Sequence, residues 1–325
     1  MAVWRLQTNT DCQDGSNIAD LCINKNIMAL GWSLKDKHLE GKNISERNKE
    51  KIRIKRTEIK IFDDYLKIVN KYNVYPGKGF ASVKRLYYDV KPNDLVWIRN
   101  RGIYYLGRVG ESCQWVYSCD EEMLIKDASN QRNNIIWKRV GDEGDIPGAI
   151  STSLIKGTTL QRIRKEGVED YSKLLYNRLC GTECYTDIKL DNNIERFYSL
   201  LSTDDCEDLL CLWLYYKYRY IVIPSTNKKS TQLYECVLKN VDNNEKIYIQ
   251  VKIGTAINAE NYKHLHGLVY LFNTENNVYN IDKVNNNIKA VDARELYDFA
   301  MSAEGAKYLS PSILHWVNFL KKDNI

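Results

Sequence analysis

The chain has 325 residues, 44% hydrophobic and 27% charged, with a formal net charge of +5. That length holds two ordinary globular domains, and the composition excludes a disordered or fibrous chain. No apolar run reaches the ~18 residues of a membrane span, and Met1-Ala2-Val3-Trp4-Arg5 lacks the basic start and apolar core of a signal peptide.

The first predicted strand, Val3-Trp4-Arg5-Leu6-Gln7-Thr8, alternates between apolar and polar side chains. A polar turn region and an apolar segment follow, ending in Ile27-Met28-Ala29-Leu30-Gly31-Trp32-Ser33. Residues 36–75 are charged and helix-prone, with Ile61, Phe62, Tyr65, Leu66 and Val69 at helical spacing. Residues 93–99 and 103–109 flank Asn100-Arg101-Gly102 and read as a β-hairpin. Further strands fit 114–118 and 135–140. Short strands with little helix between them predict a small β-barrel. Residues 141–148 have loop chemistry, and 151–163 fit a last strand or the domain connection.

This half resembles the EVE/PUA-like domains fused to type IV-style restriction nucleases. The matching motifs are Ala29-Leu30-Gly31-Trp32, then Val90-Lys91-Pro92-Asn93-Asp94-Leu95-Val96, then Tyr105-Leu106-Gly107-Arg108-Val109, then Arg132 with Ile136-Trp137. Asn93 stands where the family has Gly, and Asn also accepts a left-handed turn. The long charged segment after Trp32 departs further from the family. The resemblance implies a pocket that takes an extruded base against aromatic rings. Five of the seven tryptophans, at 4, 32, 97, 115 and 137, lie in this half, which supplies stacking surface. For any single Trp, a core position is the better expectation. Trp32, beside Gly31 in the matching motif, is the exception. Gln7 and Asn9 are candidates for base-edge contacts, and Trp97, Arg99 and Arg108 for further nucleic-acid contacts.

Charge is uneven along the chain. Residues 1–150 carry 25 Lys and Arg against 20 Asp and Glu, and 151–325 carry 22 of each. Within 42–101 there are 16 basic and 7 acidic side chains. Such a patch attracts polyphosphate chains, while a solvated, lysine-rich insertion accounts equally for its composition. Nine cysteines at irregular spacing, the tightest pair being Cys180 and Cys184, predict reduced thiols in a cytoplasmic protein. Four histidines are too few for a histidine-built metal centre, and His264-x-His266 reads as structural.

From Val168 the pattern turns helical. Tyr171, Leu174, Leu175 and Leu179 form one stripe, and Ile194, Phe197, Tyr198 and Leu201 another. An apolar helix over 204–219 leads into the strand Tyr220-Ile221-Val222-Ile223-Pro224. Next comes a predicted hairpin, Tyr234-Glu235-Cys236-Val237-Leu238 and Lys246-Ile247-Tyr248-Ile249-Gln250-Val251-Lys252. A short helix over 258–265, strands over 267–272 and 277–281, and helices over 293–301 and 311–321 complete the pattern.

Side chains alternate along a strand, so Gln250 and Lys252 share a face, and Glu235 can sit opposite them. Ile247, Ile249, Val251 and Ile253 make the other face apolar enough for a central strand. A carboxylate, a polar amide and an ammonium on one face suit metal-assisted phosphodiester hydrolysis. A solvated strand edge carries the same residue types. Glu207 shares a helix face with Leu210, Cys211 and Leu214. Asp204-x-x-Glu207 also fits a capping box, so Glu207 has two readings. Asp208 is the neighbour most easily confused with it.

Glu235 with Gln250-x-Lys252 resembles the PD-(D/E)XK nucleases, most closely the Mrr-like restriction branch. The resemblance implies that Glu235 is the main metal carboxylate and that Glu207, on the preceding helix, is a second metal or water contact. Gln250 would orient a metal-bound water and Lys252 would stabilise charge. The implied cofactor is Mg2+ or Mn2+. A Glu, not an Asp, at the second motif keeps a non-catalytic scaffold open.

The expected fold is α+β, with a PUA/EVE-like small barrel over 1–160 and a restriction-endonuclease-like α/β domain with a mixed central sheet over 161–325. The expected function is cleavage of foreign double-stranded DNA bearing a modified base by a homodimer on DNA. The alternatives are a modified-nucleic-acid-binding protein without catalysis and an RNA-directed nuclease.

Overall fold

In the computed structural model, which describes residues 1–8, 17–40, 44–77, 80–155, 158–165, 167–188, 193–226 and 233–321, the chain is a mixed α+β protein. It divides into two units. The first comprises Met1–Glu143, Ser153–Arg164 and Val168–Ile188, and the second Gly144–Thr152, Lys165–Gly167 and Lys189–Ile325. The division is therefore not a single cut near 160, because the chain passes between the units several times.

The chain starts with β1 (Val3–Leu6), α1 (Ile18–Asn24), β2 (Met28–Leu30) and four helices: α2 (Asp36–Leu39), α3 (Glu46–Arg56), α4 (Phe62–Tyr72) and α5 (Ala81–Tyr88). Then come β3 (Leu95–Asn100), β4 (Ile103–Val109), β5 (Trp115–Tyr117), α6 (Glu121–Ile125), β6 (Asn130–Arg132) and β7 (Ile135–Gly141). After α7 (Gly148–Ser153), the first unit takes β8 (Leu160–Ile163) and α8 (Val168–Cys180). Arg101 and Gly102 close the β3–β4 hairpin with φ of 48° and 83°, the two left-handed positions of a tight hairpin turn. Asn93 also takes a left-handed φ, 69°.

Two sheets form in this unit. One has the order β7-β4-β3-β1-β8, with β1 parallel to β3 and antiparallel to β8. The other is the antiparallel β2-β6-β5. Among the described residues neither sheet closes on itself, so the expected closed barrel does not form. Two sheets and α4 share one core instead: Trp4, Leu6, Val96 and Ile98 meet Met28, Leu30, Trp115, Tyr117, Phe62 and Tyr65. Residues 36–75 carry α2, α3 and α4 as expected, α5 extends the helical region to Tyr88, and α4 packs into that core where further strands would close a barrel. In β4, Gly107 lies under the Trp137 ring, where a Cβ would approach Cε3 to 2.6 Å.

The second unit holds α9 (Ile194–Leu200), α10 (Thr203–Tyr218), β9 (Tyr220–Val222), β10 (Cys236–Asn240), β11 (Lys246–Lys252), β12 (Ile257–Asn258), β13 (Leu268–Asn273), β14 (Val278–Tyr279), β15 (Ile288–Val291), α11 (Ala293–Met301) and α12 (Pro311–Leu320). Its main sheet is mixed, in the order β15-β13-β11-β10-β9, with β11, β13 and β15 parallel and β10 antiparallel to both its neighbours. β11 is thus the central strand. Ile247, Ile249 and Val251 are buried, whereas Ile253 lies past the strand end and is exposed. The expected helix over 258–265 is a single 3-10 turn, Ala259–Tyr262.

Candidate functional site

Each unit carries one candidate site. In the second, the site starts from the β10–β11 register. Cys236 pairs with Ile249, and the Glu235 amide donates to the Ile249 carbonyl at 2.9 Å. Glu235 therefore stands directly before β10, opposite Gln250. The Gln250 side chain donates Nε2–H to Glu235 Oε1 and also to the Val251 carbonyl, 3.2 Å away. Facing two oxygens orients the amide and leaves Gln250 Oε1 as an acceptor. Lys252 Nζ lies 3.4 Å from the same Glu235 oxygen. Gln250 is buried at 1% exposure, so its bond to Glu235 is sheltered from water, while Lys252 remains exposed.

Glu207 approaches from α10. The start of this helix decides between its two readings. Ser202 is the N-cap, its side chain accepts from the Asp205 amide, and Asp205 returns a bond to the Ser202 amide at 2.9 Å. The capping box is Ser202 with Asp205, so capping does not occupy Glu207. Burial, then the neighbouring Glu235 charge, pushes the Glu207 carboxyl up to about 7, and the Lys252 charge partly opposes this. The charges of Glu235 and Lys252 thus both act on Glu207, as do those of Asp204 and Asp208. Asp208, one residue on, is exposed. The sequence did not single out Tyr262. Burial and then the Glu235 charge push its phenol up.

The donor set fits a hard divalent cation. Two carboxylates and an amide oxygen are the oxygen ligands that Mg2+ takes from a protein when water and phosphate complete its shell. Crowding raises the cost of ionising Glu207 beside Glu235, and a cation would offset it. Among the described residues no group of three or more His, Cys, Asp or Glu side chains is arranged to hold a metal ion. The site therefore offers two carboxylates and no protein cage.

In the first unit, an open cleft of about 1090 Å³ is lined by Gln7, Thr8, Gly31, Trp32, His38, Tyr75 and Asp127, with Lys35, Lys37, Arg56 and Lys126 among its charged residues. Trp32 has φ 58°, a left-handed conformation that costs a bulky L-residue about 1–2 kcal/mol. The surrounding backbone contacts overdetermine this strain. The Trp32 carbonyl accepts from Tyr65 Oη at 2.8 Å, and the Gly31 carbonyl from buried Asn130 Nδ2 at 2.9 Å. The Ser33 amide donates to Asp127 Oδ1 at 2.9 Å, and the Leu34 amide to Tyr117 Oη at 2.8 Å. Tyr75 Oη donates to the Ser33 carbonyl at 2.6 Å. Burial pushes all three phenols up, so they remain neutral, Tyr65 and Tyr75 as donors and Tyr117 as acceptor. At Gly31 a Cβ would approach Asp127 Oδ2 to 2.6 Å, so a side chain there would push on the carboxylate that holds the Ser33 amide. Thr8 Oγ1 is buried without a hydrogen-bond partner among the described residues.

The cleft brings Trp32 and Gln7 together, but not the other expected contacts. Asn9 lies outside the described residues. Trp97 corrects the expectation: it is fully buried, and its indole N–H donates to Ser172 Oγ at 3.0 Å, so it offers no stacking face. Arg99 pairs with Glu143 at 3.3 Å and lies over the Tyr104 ring. Arg108 donates from Nε to Asn93 Oδ1 at 3.1 Å and lies over the Tyr185 ring. Neither arginine lines the cleft. Trp4 and Trp115 are buried, and Trp137 is half-buried with Nε1 donating to the Ile27 carbonyl. The clamp of Tyr65, Tyr75, Tyr117, Asn130 and Asp127 went unread in the sequence. Only Tyr65 had a signal there, as part of a helical stripe that reads as core.

The eight cysteines among the described residues are free, and no helix among these residues is long and apolar enough to cross a membrane. No family model matches the chain, and neither a curated protein nor a solved structure matches it.

Proposed function

We propose that this protein is a modified-base reader joined to a metal-dependent endodeoxyribonuclease, acting in the cytoplasm to restrict foreign DNA in the manner of type IV systems. The observation that carries the nuclease reading is the convergence of Gln250 and Lys252 on one carboxylate oxygen of Glu235, at the end of a central strand, with the Glu235 and Lys252 charges also acting on Glu207. In this reading Glu235 and Glu207 would hold Mg2+ or Mn2+, which would supply Lewis-acid polarisation of the scissile phosphate and activation of water. Gln250 Oε1 would orient the attacking water. Lys252 leaves Glu235 to stabilise the charge that develops on the phosphate. The finer fold assignment, an EVE/PUA-like unit and a restriction-endonuclease-like unit, belongs to the same proposal.

In the first unit, Trp32 supplies a stacking surface, while Gln7 and Thr8 face the cleft with polar atoms suited to a base edge. One catalytic set cuts one strand, and the strands of a duplex run antiparallel. A two-fold pair of chains is the simplest arrangement for a double-strand break.

A second reading, a binding protein without catalysis, is favoured by the two-carboxylate donor set and by the ion pair that already occupies Lys252. A cleavage assay separates the readings. The full chain is incubated with modified DNA, plain DNA and RNA, with Mg2+, with Mn2+ and with a chelator. Metal-dependent cutting of modified DNA is expected. Binding without cutting under every metal condition supports the second reading, and preferential cutting of RNA redirects the enzyme to RNA.

A further inference from the structure

We propose that Arg47, Lys51 and Lys55 on α3 form a track for the sugar–phosphate backbone of DNA at the rim of the Trp32 cleft. The proposal rests on reading that cleft as a base pocket. α3 carries six cations, Arg47, Lys49, Lys51, Arg53, Lys55 and Arg56, against two acids, Glu46 and Glu50. Both acids are exposed, and each is already engaged by a cation of the same helix. Lys49 pairs with Glu46 at 2.6 Å, and Arg53 with Glu50 at 3.1 Å and with Asp36 at 2.9 Å. Arg47, Lys51 and Lys55 are exposed, and none has a carboxylate at ion-pair distance among the described residues.

Their spacing of four residues places them in one stripe along the helix, about 12 Å from first to last at 1.5 Å per residue. One strand of DNA presents a phosphate about every 3.4 Å along its axis, so the stripe spans three or four phosphates. A solvated helix face carries scattered charges of both signs. Here the unpaired charges are all positive and all lie on one line.

Contacts with the cleft wall set where the stripe lies. Arg56 Nη1 donates to the Leu34 carbonyl at 2.7 Å, two residues from Trp32, and Arg53 holds Asp36. Cys119 Sγ donates to the Arg56 carbonyl at 2.8 Å. Arg56, the last residue of α3, and its partner Asp36 both line the cleft, so the C-terminal end of α3 borders it. A backbone following the stripe toward Lys55 would run to the end of α3 that borders the cleft, where a base leaving the stack could enter.

The test measures binding of the full chain to a fluorescent, unmodified 20-base-pair duplex across a salt series. In Arg47→Gln/Lys51→Gln/Lys55→Gln, the slope of log affinity against log salt should fall by about 2.7, at ~0.9 per phosphate contact, with affinity at 50 mM salt down about tenfold or more. Lys51→Gln alone should lower the slope by about 0.9. An unchanged slope in both variants overturns the track. A fall seen only with single-stranded RNA overturns its assignment to DNA. The base-pocket reading fails separately. The triple variant should keep any preference for duplexes carrying 5-methylcytosine or 5-hydroxymethylcytosine, whereas Trp32→Ala should lose it and keep the slope.

Discussion

The two candidate sites position their key side chains in opposite ways. Trp32 is set by bonds to backbone: five side chains hold the carbonyls and amides of residues 31–34, and Trp32, packed in part against the core, lines the cleft. Glu235 is set by sheet register, and its carboxylate is then held by the side chains of Gln250 and Lys252. The first arrangement is pre-organised, since stacking on Trp32 breaks none of those bonds. The second is self-satisfied, since a cation or phosphate must compete with existing partners. Strain marks the first site and charge crowding the second, so different substitutions break them.

The largest effect is expected at the crowded site. Glu235→Ala and Lys252→Ala should each lower the cleavage rate by about two to three orders of magnitude with the fold intact, because both side chains lie at a strand end and not in the core. Initial rates on a cognate duplex, alongside circular dichroism, check this. Near-normal cutting by either variant removes the catalytic assignment.

The strained loop should respond more modestly and in two directions. Trp32→Ala should cost about 1–3 kcal/mol of binding to modified DNA by loss of stacking. Trp32→Gly should lose the same binding yet be more stable than Trp32→Ala by about 1 kcal/mol, because glycine accepts a left-handed φ. Chemical denaturation of the two variants measures the difference. An Ala variant as stable as the Gly variant would contradict strain at this position.

The smallest effect concerns Glu207. Its folded pKa, about 7, lies above the usual carboxylate value, so between pH 4.5 and 7 the folded state holds a proton that the unfolded state has lost. Stability contributed by the neutral carboxyl is present at low pH and declines as pH rises through this window. Glu207→Gln should remove the decline and be more stable than the parent at pH 8 by roughly 1 kcal/mol, a figure reduced because half of the side chain faces solvent. Denaturation midpoints at pH 5 and pH 8 test the sign. Adding Mg2+ to the parent at pH 8 should recover part of the loss, since a cation bound to ionised Glu207 stabilises the folded state.

The local chemistry of this protein was legible in its residues. A period of two along Lys246–Lys252 placed Gln250 and Lys252 on one face, because successive side chains on a strand must point oppositely. Asn100-Arg101-Gly102 between two alternating runs announced its hairpin, because Gly102 accepts the left-handed position such a turn requires. Helical spacing turned Glu207 toward the apolar face of α10, although the cap that leaves it unengaged, Ser202 with Asp205, was placed two residues too late. Contacts between distant segments were not legible. The Trp32 clamp draws on Tyr65, Tyr75, Tyr117, Asp127 and Asn130, separated by up to 99 positions from the backbone they hold, and no local period encodes such pairings. Trp97 and Trp32 carry the same side chain, yet one is buried against Ser172 and the other lines a cleft. Nor could alternation decide whether the first unit would close into a barrel, because closure depends on which edges meet and on the helices over residues 36–88 that share the core. The sequence by itself determined element type, turn chemistry and the facing of neighbours, all set by backbone sterics over a few residues. Which buried groups meet, and therefore which side chains stay open to a ligand, was decided only when packing brought remote segments together.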